Sequence, residues 1–207
     1  MNKSVFFVAA LITSNAIASD FLSPGVWFNT PTLTLRSPNA DGWVKSKASS
    51  SSIVFNKRIG KSNDYYTAGV ALFKIKGNAT TEEMSVELER LWQKNFPSEK
   101  FVTTSSEVKN SDRKDMNCLL KQSQLTDAST QEKPNSKVIH TVRSLYCKHP
   151  VSINTGFVVN YMHSGLEVDT TFEEQSNWFF DAVQIPKPQE PESSSMTESS
   201  NIKSSDK

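Results

Sequence analysis

YYTAGVALFKIK-GNA-TTEEMSVELERLWQKNF, residues 65–96, is the stretch that decides the fold. Its first twelve residues are rich in aromatic and β-branched side chains and read as one long strand. Then the period changes. Met84, Leu88, Leu91, Trp92 and Phe96 fall at i, i+4, i+7, i+8 and i+12, a single apolar stripe with polar residues opposite. Thr80 with Glu83 three residues later is a capping box, so the helix starts there, and Pro97 stops it. A strand running straight into an amphipathic helix calls for a layered α/β arrangement.

Reading outward, residues 60–64 (GKSND) have hairpin chemistry, and residues 52–59 (SIVFNKRI) form the preceding strand. Residues 32–36 (TLTLR) are a further short strand. Downstream, strands are expected at 100–108, 117–126, 137–148 and 155–164, and a last helix at 171–183 (TFEEQSNWFFDAV), capped by Asp169 or Thr171. Its buried face carries Phe172, Phe179 and Val183. The order is β-β-β-α-β-β-β-β-α. Short links between consecutive strands make the sheet antiparallel, so the fold class is α+β: six to seven strands with two helices packed on them.

Cys118 and Cys147 are the only cysteines. If strands 117–126 and 139–148 pair as a plain hairpin, opposed residues share a constant index sum. Thr126 opposite Ile139 then places Cys118 opposite Cys147, where a disulfide is geometrically reasonable.

Residues 1–18 read as a secretory signal peptide. Lys3 supplies the charged start, residues 5–12 (VFFVAALI) the apolar core, and Ala16-Ile17-Ala18 the small-x-small cleavage site before Ser19. The apolar run is too short to span a bilayer, which needs about 20 residues. Export, to a bacterial periplasm or the medium, favours the disulfide over redox chemistry. The expected organisation is a signal peptide at 1–18, an irregular segment at 19–31, one domain at 32–186, and a disordered tail at 187–207, whose Ser-, Pro- and Glu-rich sequence contains no aromatic residue.

Basic and acidic residues number 23 and 22, and removal of Lys3 makes them equal. A neutral chain without a basic run gives no electrostatic reason to bind nucleic acid or anionic lipid. No G-x-S-x-G, HExxH or phosphate-cradling glycine loop is present. His140 and His163 lie in strands and could approach each other, but lack further ligands at metal spacing. Neither a catalytic residue, a metal site nor a cofactor is expected. Trp27, Phe28 and Trp43 lie outside clear elements. They belong either to the core or to an exposed aromatic surface for a ligand or protein.

The element order, with Trp43 before SIVFNKRI, then YYTAGVALFKIK, the capped helix, the strands bearing Cys118 and Cys147, TGFVVNYMHS and the terminal helix, resembles the Mog1/PsbP-like α/β/α sandwich across residues 32–185. That resemblance implies a non-enzymatic accessory or protein-binding module. No functional residue carries over, because no motif matches residue by residue. The alternatives are an exported hydrolase with a non-motif active site, and a secreted virulence factor.

Overall fold

The computed structural model describes residues 21–30, 32–60, 64–113, 115–130 and 137–186. The expected signal peptide, its expected Ala18/Ser19 cleavage site and the 187–207 segment expected to be a tail lie outside the described residues.

Nine strands and two helices follow in the order β1 (Trp27–Asn29), β2 (Thr34–Arg36), β3 (Val44–Ser49), β4 (Ser52–Arg58), β5 (Tyr65–Lys74), α1 (Thr81–Asn95), β6 (Phe101–Asn110), β7 (Cys118–Asp127), β8 (Ile139–Lys148), β9 (Thr155–Gly165) and α2 (Phe172–Asp181). Seven strands form one sheet in the order β3-β4-β5-β9-β8-β7-β6, and every neighbouring pair is antiparallel. β1 and β2 form a separate two-stranded sheet.

The long strand, the capped helix and the cysteine hairpin stand where the residues put them. Thr80 caps α1: its hydroxyl accepts from the Glu83 N–H, and the Glu83 carboxylate accepts from the Thr80 N–H. β7 and β8 pair in the expected register, with Thr126 opposite Ile139 and Cys118 opposite Cys147. The two cysteines are bonded and buried.

Two elements depart from expectation. The 19–31 segment is not wholly irregular, because Trp27–Asn29 pairs with Thr34–Arg36. This pairing draws the TLTLR strand out of the large sheet. β3 has no signal in the sequence. It is an edge strand, mostly exposed, and VKSKAS has no apolar alternation because nothing covers it. Both sheet edges, β3 and β6, carry a register shift and charged side chains, which discourage pairing with another chain.

The helices cover opposite faces. Under α2 lie Phe55, Tyr66, Val70, Phe157, Val159, Tyr161 and the disulfide, together with Trp43 and the inner residues Leu33 and Leu35 of the N-terminal layer. Under α1 lie Ala71, Leu119, Tyr146 and Val158 beside Met84 and Leu88, and then Leu125 and Val142 beside Trp92. Buried cations help dock both helices. Lys121 Nζ donates to Glu89 at 2.6 Å and sits 4.5 Å from the Trp92 ring centre. Arg143 donates to Ser176 Oγ, Asn177 Oδ1 and the Glu173 carbonyl. Arg113 donates to the Phe180 and Val183 carbonyls at the end of α2.

Candidate functional site

The densest cluster of titratable side chains sits at one end of the sheet, where β5 starts and β9 finishes. Register places Tyr66 opposite His163 on the α2 face, and their rings stack with centroids 4.4 Å apart. His163 Nε2 bonds Asp64 Oδ1 at 3.0 Å, and the Tyr66 hydroxyl donates to Asp169 Oδ2 at 2.8 Å. Asp169 Oδ1 accepts in turn from the backbone N–H and the hydroxyl of Thr171, both at 2.8 Å. Thr171 stands at the N-cap of α2, but its side chain makes no capping bond; Asp169 organises the helix entry from outside it. Asp64, Tyr66, His163 and Asp169, with Leu166, Glu167 and Val168, line a cleft of about 420 Å³. Leu166 and Val168 are 58% and 46% exposed.

The electrostatics follow from that arrangement. Burial, aided by the bond to Asp169, raises the Tyr66 hydroxyl above its ordinary range, so it remains a donor. Burial alone would raise Asp169 as well. The bonds from Thr171 and Tyr66 outweigh it and hold the carboxyl below its usual range. His163 is buried, and its remaining ring nitrogen, Nδ1, is sealed from solvent with no hydrogen-bond partner. The nitrogen a substrate would need therefore faces the interior. The chain of contacts from Asp64 through His163 and Tyr66 to Asp169 and Thr171 works as a clamp across four segments of the chain.

A second cleft, about 340 Å³, lies at the opposite end of the sheet between residues 75–77, 115–117 and 148–155. His149 is fixed there as one tautomer. Its Nδ1 accepts from the Val151 and Ser152 N–H groups, so Nε2 carries the proton and donates to the Thr32 carbonyl.

The residues singled out in the sequence are dispersed. Trp43 is 1% exposed and packs against Tyr66 and Tyr161, so it belongs to the core and not to a binding surface. Phe28 is half-buried against Phe55. Only Trp27 of the three keeps substantial exposure, with the Arg36 guanidinium 4.2 Å from its ring centre. His140 and His163 do not meet. They are offset by one residue in the β8–β9 ladder and point to opposite faces, and His140 bonds Ser164 and Asp127 instead. Among the described residues no group of His, Cys, Asp and Glu is arranged to hold a metal ion.

Sequence reading missed the clamp because its members are about a hundred residues apart and none belongs to a motif. The available signal was the β5–β9 register. Pairing those two strands from their apolar patterns would have set Tyr66 against His163.

No protein-family model and no curated protein matches the sequence. Two solved structures align with 84% of the chain. One is a protein of Bacteroides thetaiotaomicron VPI-5482, at 12% identity and a TM-score of 0.43; this chain spans about half its length, 51%. The other is cyanobacterial PsbP (CyanoP) from Synechocystis sp. PCC 6803, at 14% identity and a TM-score of 0.45, with 97% of that chain covered. These likenesses concern the fold alone, and the functional reading rests on the residues.

Proposed function

We propose that this chain is an exported, disulfide-stapled accessory module that binds a protein partner and performs no chemistry. The observation that carries the reading is the clamp. Its hydrogen bonds are internal and the one unused ring nitrogen is sealed, while Leu166 and Val168 are held exposed beside it. A rigid polar floor with an apolar rim suits docking: the rim desolvates on contact and the floor needs no reordering. Export is supported by the apolar N-terminal segment in the sequence and by the buried Cys118–Cys147 bond, a feature of oxidising compartments. No helix among the described residues is long and apolar enough to cross a membrane.

Intact mass of protein recovered from the exported fraction tests the compartment. The expected product begins at Ser19 and gains two daltons on reduction; an uncleaved, reduced chain overturns export. A photo-cross-linking residue at position 166 tests the binding end. It should trap one protein partner at native expression, while the same residue at Val108, on β6, should not. A hydrolytic activity that disappears in His163→Gln would overturn the non-enzymatic reading.

A further inference from the structure

The N-terminal layer has a composition unlike the rest of the surface. Phe21, Val26 and Trp27 are 71%, 39% and 40% exposed. Phe21 bridges Val44 at the start of β3, the Leu22 N–H bonds the Trp43 carbonyl, and Trp27 pairs with Arg36. Cations surround these apolar groups. Arg36 lies over the Trp27 ring, and Lys45 Nζ is 5.4 Å from the Phe28 ring centre. Lys57 is diagonal to Lys45 across the β3–β4 ladder, on the same face. Lys47, opposite Val54, and Arg58, opposite Tyr65, lie on the other face of that ribbon. Between residues 21 and 58 the chain carries these five basic residues against one acid, Asp41. Among the described residues none of the five is ion-paired with a carboxylate. Arg36, Lys45 and Lys57 thus make one corner of a chain that is neutral overall locally cationic.

We infer that this corner is a peripheral docking surface for a bilayer rich in anionic phospholipid. Unpaired cations complement the negative headgroup layer, each worth about a fivefold gain in partitioning near such a surface. The apolar side chains identify the kind of polyanion. Nucleic acid offers no apolar phase for Phe21 and Val26, whereas the headgroup–acyl boundary accepts aliphatic and aromatic side chains and favours Trp there. The Trp27–Arg36 pair presents an apolar ring and a cation side by side, and Val26, next in the chain, is exposed as well.

Co-sedimentation with vesicles of phosphatidylglycerol and phosphatidylcholine, against phosphatidylcholine alone, tests this. The chain should bind the anionic vesicles at low salt, release as salt rises, and ignore the neutral ones. Arg36→Gln, Lys45→Gln and Lys57→Gln should each weaken binding about fivefold. Lys109→Gln, on the far edge strand β6, should leave it unchanged. Brominated lipid should quench part of the tryptophan fluorescence, and Trp27→Phe should remove most of that quenching, because Trp43 and Trp92 are buried and Trp178 is partly buried against the core. The exported product and its variants share one N-terminus, so the differences between them read the corner alone. An unaltered melting temperature certifies each fold. Equal binding to neutral vesicles, binding indifferent to the three substitutions, or quenching undiminished by Trp27→Phe would each overturn the inference. So would failure to bind anionic vesicles at low salt.

Discussion

The two faces of the seven-stranded sheet are built from different chemistry. The α2 face is a continuous aromatic interior. Trp43, Phe55, Phe157, Tyr161 and Phe179 are at most 1% exposed, and their rings meet in tilted and edge-to-face pairs. The α1 face has smaller residues, Ala71, Leu119 and Val158, and polar ones between them: Lys121, Ser123, His140 and Ser144 are all buried. The α2 face gains its stability mainly from aromatic area and close packing, with Arg143 docking its helix, while the α1 face, with less aromatic area, relies more on hydrogen bonds and Lys121 to set where its helix lies. Aromatic area scales with free energy; a buried polar network contributes mainly by excluding misplaced arrangements.

The sharpest way to break this contrast is truncation on the aromatic face. Phe179→Ala should cost about 3–5 kcal/mol in urea unfolding. Leu88→Ala, its counterpart under α1, should cost less; equal losses would mean the two faces are energetically alike. The disulfide adds to the same aromatic face. Replacing Cys118 and Cys147 together with serine opens a loop of sequence separation 29 and should cost about 3–4 kcal/mol on the chain-entropy account. An effect below about 1 kcal/mol would show that the β7–β8 ladder already restricts the unfolded chain. Lys121→Met exchanges the buried cation for an apolar side chain of similar length and should change stability by no more than about 1 kcal/mol. A loss of several would make the ionic face as energetic as the aromatic one.

The smallest effect belongs to the clamp. Asp169 has a folded-state pKa below its unfolded value of about 3.9, so its contribution is fully present above that value. It is lost as pH falls through the folded pKa. Acid melts of the native chain and Asp169→Asn should therefore converge below about pH 4 and separate above it, with the native chain the more stable. Curves that stay parallel across that range would remove the carboxylate from the clamp.

What was legible in the sequence was local. The Thr80–Glu83 box, the stripe from Met84 to Phe96 and the Cys118–Cys147 register each involve an adjacent element or a hairpin, where spacing alone fixes geometry. What was not legible required either distant pairing or knowledge of exposure. β3 is an uncovered edge, so it keeps no alternation. Trp27 and Trp43 look alike as isolated tryptophans, yet one rests on Arg36 at the surface and the other lies beneath Tyr66 and Tyr161. The charge corner vanished in a whole-chain average, because acids elsewhere cancel it.

The strand order carries a consequence for synthesis. Every ladder of the large sheet joins neighbours in the chain except β5–β9, whose partners are 81 to 99 residues apart, Lys74 with Thr155 and Tyr65 with Ser164. The sheet is thus two meanders stitched along a single late seam. As the chain is made, β5, its most apolar N-terminal strand, presents a bare edge until β9 emerges, roughly 5–20 s later at 5–20 residues per second. During that interval the half-built molecule is a sticky template, and a holding chaperone would find its natural grip on residues 65–74.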